Sequence, residues 1–220
     1  VTESRPPVAD LFTLHVGEPR PPIPLPCALP SYRFALLHRY EEPQYTQLMH
    51  QMFFGPTGSL RWQDLGLQDD PSLREFRRSA TRGRPSLRLG AFHGEELVGW
   101  SYGFADRPDG FTMASSAVLP GHRRVGLYSA MAEALVGLAR DAGYHFVHSR
   151  HVCTNNPILI AKLRLGFLVT VMEVSPDMGV LLTLEKPLHP LRARTLMARS
   201  GMTLMDETMA GLLTEPSPAE

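Results

Sequence analysis

The chain has 220 residues, and its 22 lysines and arginines balance 22 aspartates and glutamates, so no net field draws it to nucleic acid or to an anionic membrane. That length suits one domain with appendages and can bury a large core, while two cysteines, Cys27 and Cys153, imply no disulfide framework and a reducing compartment. No apolar run approaches the ~20 residues of a membrane span and no secretory leader opens the sequence, so a soluble, cytoplasmic protein is expected.

Residues 1–30 hold eight of the twenty prolines. Each proline removes a backbone donor and fixes φ, which predicts an extended arm rather than a helix or a central strand. Such an arm can lie across its own domain or across a partner subunit. Tyr32 to Tyr40 has strand character, with Phe34, Leu36 and Leu37 near its middle. Pro43 then opens a helical pattern through Tyr45, Leu48, Met49, Met52 and Phe53, which Gly55-Pro56 stops. Asp70-Pro71 starts a second helix through Leu73, Phe76 and Ala80.

From Ser86 the pattern becomes that of strands. Leu87, Leu89 and Ala91 alternate with Arg88 and Gly90, a turn follows at His93 to Glu96, and Leu97 to Phe104 returns. After Arg107-Pro108-Asp109-Gly110, Phe111 to Leu119 completes an antiparallel meander. A helix then carries Leu127, Met131, Ala134, Leu135 and Leu138 on one stripe and ends at Ala142-Gly143. Tyr144 to Val152 is the next strand; the intervening helix makes it parallel to the one before. Asn156-Pro157 opens a further helix closed by Gly166, and Phe167 to Val174 with Val180 to Glu185 forms a last hairpin around Pro176-Asp177. The fold class is therefore α+β with a mixed, mostly antiparallel sheet. The expected organisation is a proline-rich arm (1–30), a domain (31–187) and a C-terminal helical segment and tail (188–220). The apolar residues Leu191, Leu196 and Met197 of that tail favour burial against a second subunit, hence a homodimer.

Between the third strand of the meander and the helix after it, Val118-Leu-Pro-Gly-His-Arg-Arg-Val-Gly-Leu-Tyr128 makes a basic, glycine-containing turn. The first amides of a helix have no internal acceptor, and the macrodipole adds roughly half a positive charge there, so a phosphate can dock on them. The run Arg123-Arg124-Val125-Gly126-Leu127-Tyr128, followed by a strand, Asn155 and then Leu165-Gly166-Phe167, resembles the GCN5-related N-acetyltransferase (GNAT) family. The resemblance spans roughly residues 31–187 and is clearest from Leu87 onward. It implies a three-layer fold splayed at two parallel strands, with acetyl-CoA as acyl donor in the gap and no metal. It further implies that Val118 and Leu119 pair with the cofactor's pantetheine arm and that Arg123, Arg124, Val125, Gly126, Leu127 and Tyr128 cradle its pyrophosphate. Asn155 would contact the cofactor arm, leaving Asn156 to cap its helix, and the first two helices would wall the acceptor pocket. Tyr128 stands where the family prefers a small residue, so its side chain either crowds the cofactor or turns into the core.

Acyl transfer to an amine poses two proton problems. Keeping a lysine-like amine neutral at pH 7 costs roughly 4–5 kcal/mol, whereas the leaving thiol needs only ~2 kcal/mol of help. A base should therefore matter more than an acid. The glutamate that many relatives carry on the strand before the turn is absent from Phe111 to Leu119, and Lys162 stands where many carry a tyrosine acid. Histidines are what remain. On the strand, His145 and His151 share a face with Ser149 and Cys153 while His148 points the other way. His151 is the first candidate for the base because an ordinary imidazole titrates near 6.5. His145 and His151 lie about 20 Å apart along an extended strand, too far to share a metal. Lys162 is expected either to face solvent, with Leu159, Leu163 and Phe167 on the buried side, or to stabilise a departing thiolate by charge alone. The expected function is N-acetyl transfer to a small-molecule or peptide amine. The alternative is a GNAT-like module that binds acyl-CoA with little catalysis.

Overall fold

A computed structural model of the chain describes residues 7–13, 18–41, 45, 49, 83–176, 178–201, 203 and 207. Its centre is an eight-stranded sheet in the order β1-β2-β3-β4-β5-β6-β8-β7. The strands are β1 Ile23–Leu25, β2 Arg33–Leu36, β3 Ser86–His93, β4 Glu96–Arg107, β5 Gly110–Val118, β6 Phe146–Val152, β7 Leu168–Ser175 and β8 Gly179–Pro187. Among described residues every neighbouring pair is antiparallel except β5 and β6. The helices are α1 Val8–Phe12, α2 Leu127–Asp141, α3 Asn156–Arg164 and α4 Pro190–Arg199. The expected α+β class and the parallel pair are both present. No described helix is long and apolar enough to cross a membrane.

The two sheet faces bury different sets of side chains. Leu87, Leu89 and Ala91 of β3, Phe111, Met113 and Val118 of β5 and Val147 of β6 pack beneath Leu127, Met131, Leu135 and Leu138 of α2. This is the stripe expected for that helix, because period-3.6 and period-2 apolar patterns meet face to face. The opposite face carries Trp100, Ala117 and Tyr40, against which Tyr45 and Met49 pack. Tyr45 stacks on Tyr40 at 4.3 Å between ring centroids and stands edge-on to Trp100 at 5.6 Å. Apart from Tyr45 and Met49, the two helices expected between Pro43 and Ala80 lie outside the described residues, as does Asp177.

The parallel pair is short. Only Gly110, Phe111 and Thr112 of β5 are bridged to Phe146, Val147 and His148 of β6. Two residues past the last bridge, β5 carries an insertion: Tyr102 and Gly103 are consecutive on β4, yet they pair with Ser115 and Met113, leaving Ala114 without a partner. An extra residue of this kind bends its strand and raises the local twist, which carries β5 away from β6. Gly103 is required where the strands crowd. A Cβ there would lie 2.4 Å from the Phe111 ring and 2.6 Å from the Thr112 carbonyl oxygen.

The proline-rich arm corrects one expectation. Prolines forbid helix interiors, but Val8–Phe12 contains none and forms the one-turn helix α1. Further along, Ile23–Leu25 is extended and joins the sheet as its edge strand, where prolines are tolerated. The arm lies across its own domain: Leu11 and Phe12 enter the core, and Phe12 meets Phe111 edge-on at 5.5 Å. In α4, Leu191, Leu196 and Met197 are half-buried. Deleting the Phe12 ring removes a buried aromatic, so Phe12→Ala should lower the unfolding free energy by about 3–5 kcal/mol in denaturant titration. A loss below about 1 kcal/mol would mean that the arm only rests on the surface.

Candidate functional site

Past the Thr112–His148 bridge, Met113–Val118 of β5 and Ser149–Val152 of β6 face each other across an opening gap. Leu119 gives its N–H to the Val98 carbonyl at 2.9 Å and accepts from the His122 N–H at 2.9 Å. Strand alternation then turns the N–H and C=O of Val118 toward the gap, where Arg123 Nε donates to that carbonyl at 2.9 Å. Of the two backbone positions expected to meet a cofactor arm, Val118 lines the opening. Leu119 does not, because β4 and the following turn already use its hydrogen-bonding groups.

After Val118 a single 3-10 turn, Pro120–His122, leads into Arg123 and Arg124. Arg124 has φ +64°, a left-handed conformation that costs a non-glycine residue about 1–3 kcal/mol and that persists where surroundings impose it. Gly126 caps α2 at φ +86° with no atom within 4 Å of where a Cβ would stand. Glycine supplies no capping side chain, and the first intrahelical bond runs from Ala130 N–H to Gly126 O at 3.0 Å. The N–H groups of Leu127, Tyr128 and Ser129 are therefore presented outward beneath exposed Arg123, Arg124 and Val125. This concentrates donors and positive charge at the mouth of the gap. Tyr128 resolves the expected ambiguity: it packs against the main core, and burial raises its phenol well above the usual range, so it stays neutral and clear of the turn.

Asn155, not Asn156, occupies the cap position of α3, because the helix already includes Asn156 and Pro157 takes its second position. The Asn155 backbone carbonyl accepts from Ile158 and Leu159, and its side chain makes no capping bond. Lys162 departs furthest from expectation. It is completely buried, whereas Leu163 is 49% exposed and Ile160 50%. Adjacent helix residues point about 100° apart, so only one of the two can face inward, and here Lys162 does. Its Nζ lies 2.9 Å from Met113 Sδ and 4.0 Å from the Phe167 ring centroid. No carboxylate pairs with it among the described residues. Burial pushes the ammonium down to about 7. The premise that Lys162 is an ordinary, permanently charged lysine does not hold.

His151 lies on the Lys162 side of the sheet, its Nε2 2.9 Å from Ser149 Oγ. Burial first, and then the Lys162 charge, push its imidazole down to about 4. That removes the reason for selecting it, since a base so weak accepts little from an alkylammonium. His148 points to the other face, as alternation required, and there it meets Asp106 Oδ2 at 2.9 Å and Thr112 Oγ1 at 2.6 Å. The contact of Asp106 with His148 was not read from the sequence. The two lie 42 positions apart, and only strand register joins them.

The acetyltransferase (GNAT) family profile matches residues 46–167, more than half of the chain. Among solved structures, the chain is similar to yncA of Salmonella typhimurium with its cofactor acetyl-CoA, at 17% identity and a TM-score of 0.54 over 73% of this chain and 95% of that one. It is also similar to a Bacillus subtilis acetyltransferase in complex with CoA, at 15% identity and 0.52 over 72% and 99%. A third is Ard1 from Thermoplasma volcanium, at 16% identity and 0.50 over 71% and 97%. At these identities the likeness is one of fold. No curated protein matches the chain.

The Lys162 site has a stability signature whose sign follows from proton counting. Between pH 7 and about 10 the unfolded chain holds a proton on this lysine that the folded protein has lost, so the burial penalty of Lys162 is relieved progressively as pH rises through that window. Below pH 7 both states hold the proton and the full burial penalty is felt. Lys162→Met should therefore be more stable than wild type, with the largest gap below pH 7 and a shrinking gap toward pH 10, in denaturant titrations at several pH values. A gap that does not vary with pH would show that Lys162 titrates normally.

Proposed function

The chain belongs to the acetyltransferase (GNAT) family, and from that premise we propose that it moves an acetyl group from acetyl-CoA to a primary amine by direct attack on the thioester. The observation that carries this reading is the gap between β5 and β6, which ends at the left-handed, glycine-capped start of α2. An extended pantetheine arm matches an open strand edge, and Val118 offers its backbone there. Arg123, Arg124 and the free amides of Leu127, Tyr128 and Ser129 suit a pyrophosphate, and the empty space over Gly126 lets it approach. Asn155, with its side chain free of capping, stands at the start of α3 to contact the arm. The neighbours solved with acetyl-CoA and with CoA support the same cosubstrate.

Direct attack asks the protein for electrostatics and two proton movements and requires no nucleophilic side chain. Backbone N–H groups along the gap polarise the thioester carbonyl as charge develops on its oxygen. Lys162 serves the leaving side. With an ammonium pushed down to about 7 it can hand a proton to the departing sulfur, rather than assist by charge alone. The acceptor is a primary amine on a small molecule or a peptide.

Two variants test this. Gly126→Val forces a branched residue into φ +86° and closes the approach to the helix start, so calorimetric acetyl-CoA affinity should fall about 100-fold or more while the circular dichroism spectrum is kept. Unchanged affinity would move the cosubstrate elsewhere. Lys162→Met should leave affinity near wild type but lower turnover by about 10- to 100-fold and abolish the alkaline decline of the wild-type profile. A retained decline would assign that limb to another group.

A further inference from the structure

The closed end of the gap is a single bridge, Thr112 to His148. Its two side chains point to the face that also carries Phe104, which is paired with Thr112, and Tyr102, 5.9 Å from Phe104. One step along β5, Met113 points to the other face and meets Lys162. A lysine thus stands on one side of the sheet at this level and a histidine–aspartate pair on the other. The loop that suits the cosubstrate opens α2, on the lysine side. An acceptor has the opposite face from which to approach.

We propose that His148, oriented by Asp106, takes the proton from the ammonium of the incoming primary amine on that face. The proposal rests on the acetyl-CoA reading above and adds the acceptor side to it. A carboxylate only accepts, so the Asp106 contact places the imidazole proton on Nε2, with Thr112 Oγ1 sharing the same N–H. The lone pair is left on Nδ1. Among the described residues Nδ1 has no partner and no unpaired side-chain nitrogen is fully enclosed, so Nδ1 keeps contact with the outside through a side chain that is 12% exposed. The nearby charges are already engaged. Arg107 lies 3.8 Å from Asp106 Oδ2, and Glu185, bridged to His148 from β8, accepts from Arg192 Nε at 3.1 Å. When Nδ1 is protonated, the imidazolium faces the Asp106 carboxylate, which holds the ring in place and stabilises the charge.

The protons balance. The alkylammonium gives one proton to His148, its nitrogen bonds to the acyl carbon, and the carbon–sulfur bond breaks. Lys162 protonates the sulfur and recovers a proton from the amide nitrogen, and His148 releases its own to water. The products are an amide, a free thiol and one proton.

A base matters only for a nucleophile that arrives protonated, and this separates a catalytic role from a structural one. With saturating acetyl-CoA at pH 7, His148→Gln should lower turnover of n-butylammonium about 100-fold, but alter turnover of hydroxylamine, which is neutral at that pH, less than about threefold. Asp106→Asn acts through His148 and should give a smaller loss with n-butylammonium and the same indifference to hydroxylamine. Calorimetric affinity for acetyl-CoA should match wild type in both variants, which also reports on folding. Equal losses with both nucleophiles, or no loss with either, would overturn the assignment. So would a wild type that binds acetyl-CoA yet acylates neither amine. A wild type that fails to bind acetyl-CoA would instead sink the reading on which the proposal rests.

Discussion

β5 has to satisfy two neighbours at once, and the unpartnered Ala114 makes that impossible beyond Thr112. Its pairing with β4 continues through the insertion to Val118, while its pairing with β6 stops after three residues. Backbone hydrogen bonds are obligatory for buried chain, so an interior strand with one open edge is a standing demand for a partner. Arg123 meets part of it by donating to the Val118 carbonyl, and the remaining donors and acceptors suit an extended ligand. The gap therefore follows from strand geometry, and the left-handed turn at its mouth adds the charge.

Lys162 shows how position outweighs residue type. In water an ammonium needs no partner, but here it is enclosed by Met113, Phe167 and the base of the gap. Sulfur and an aromatic face stabilise a cation only weakly compared with the hydration it has lost. The group is consequently poised between its two forms, and its charge adds to burial, the larger cause, in depressing His151. On the other face, His148 sits beside a carboxylate and a hydroxyl with its side chain 12% exposed. The sheet thus holds two titratable groups on opposite faces at one strand level, Lys162 fully enclosed and His148 beside Asp106.

Much of the architecture was legible in residue order. Alternation in β3, β4 and β5, the 3.6-residue stripe of α2 and the glycines at 126, 143 and 166 located the meander, the crossover and the helix ends within one to three residues. Local chemistry determined these, since helix caps, turns and amphipathic periods depend on neighbours in sequence. The basic turn was legible for the same reason, as its arginines, its glycine and the helix start are contiguous. The arm was half legible: its prolines called for extended chain, as found at Ile23–Leu25, but said nothing of the proline-free turn at Val8–Phe12.

What the tertiary structure alone decided lies in contacts between distant segments. Periodicity narrowed the inner face of α3 to adjacent residues, but only packing against Met113, 49 positions away, chose Lys162 over Leu163. Alternation separated His148 from His151, but only the register of β4, β5 and β6 brought Asp106 to the former and Lys162's charge to the latter. Sequence thus determined the elements, the turn and the residue types available for proton transfer. Burial and register assigned the protonation behaviour, because both depend on which remote chain segments exclude water or supply a charge.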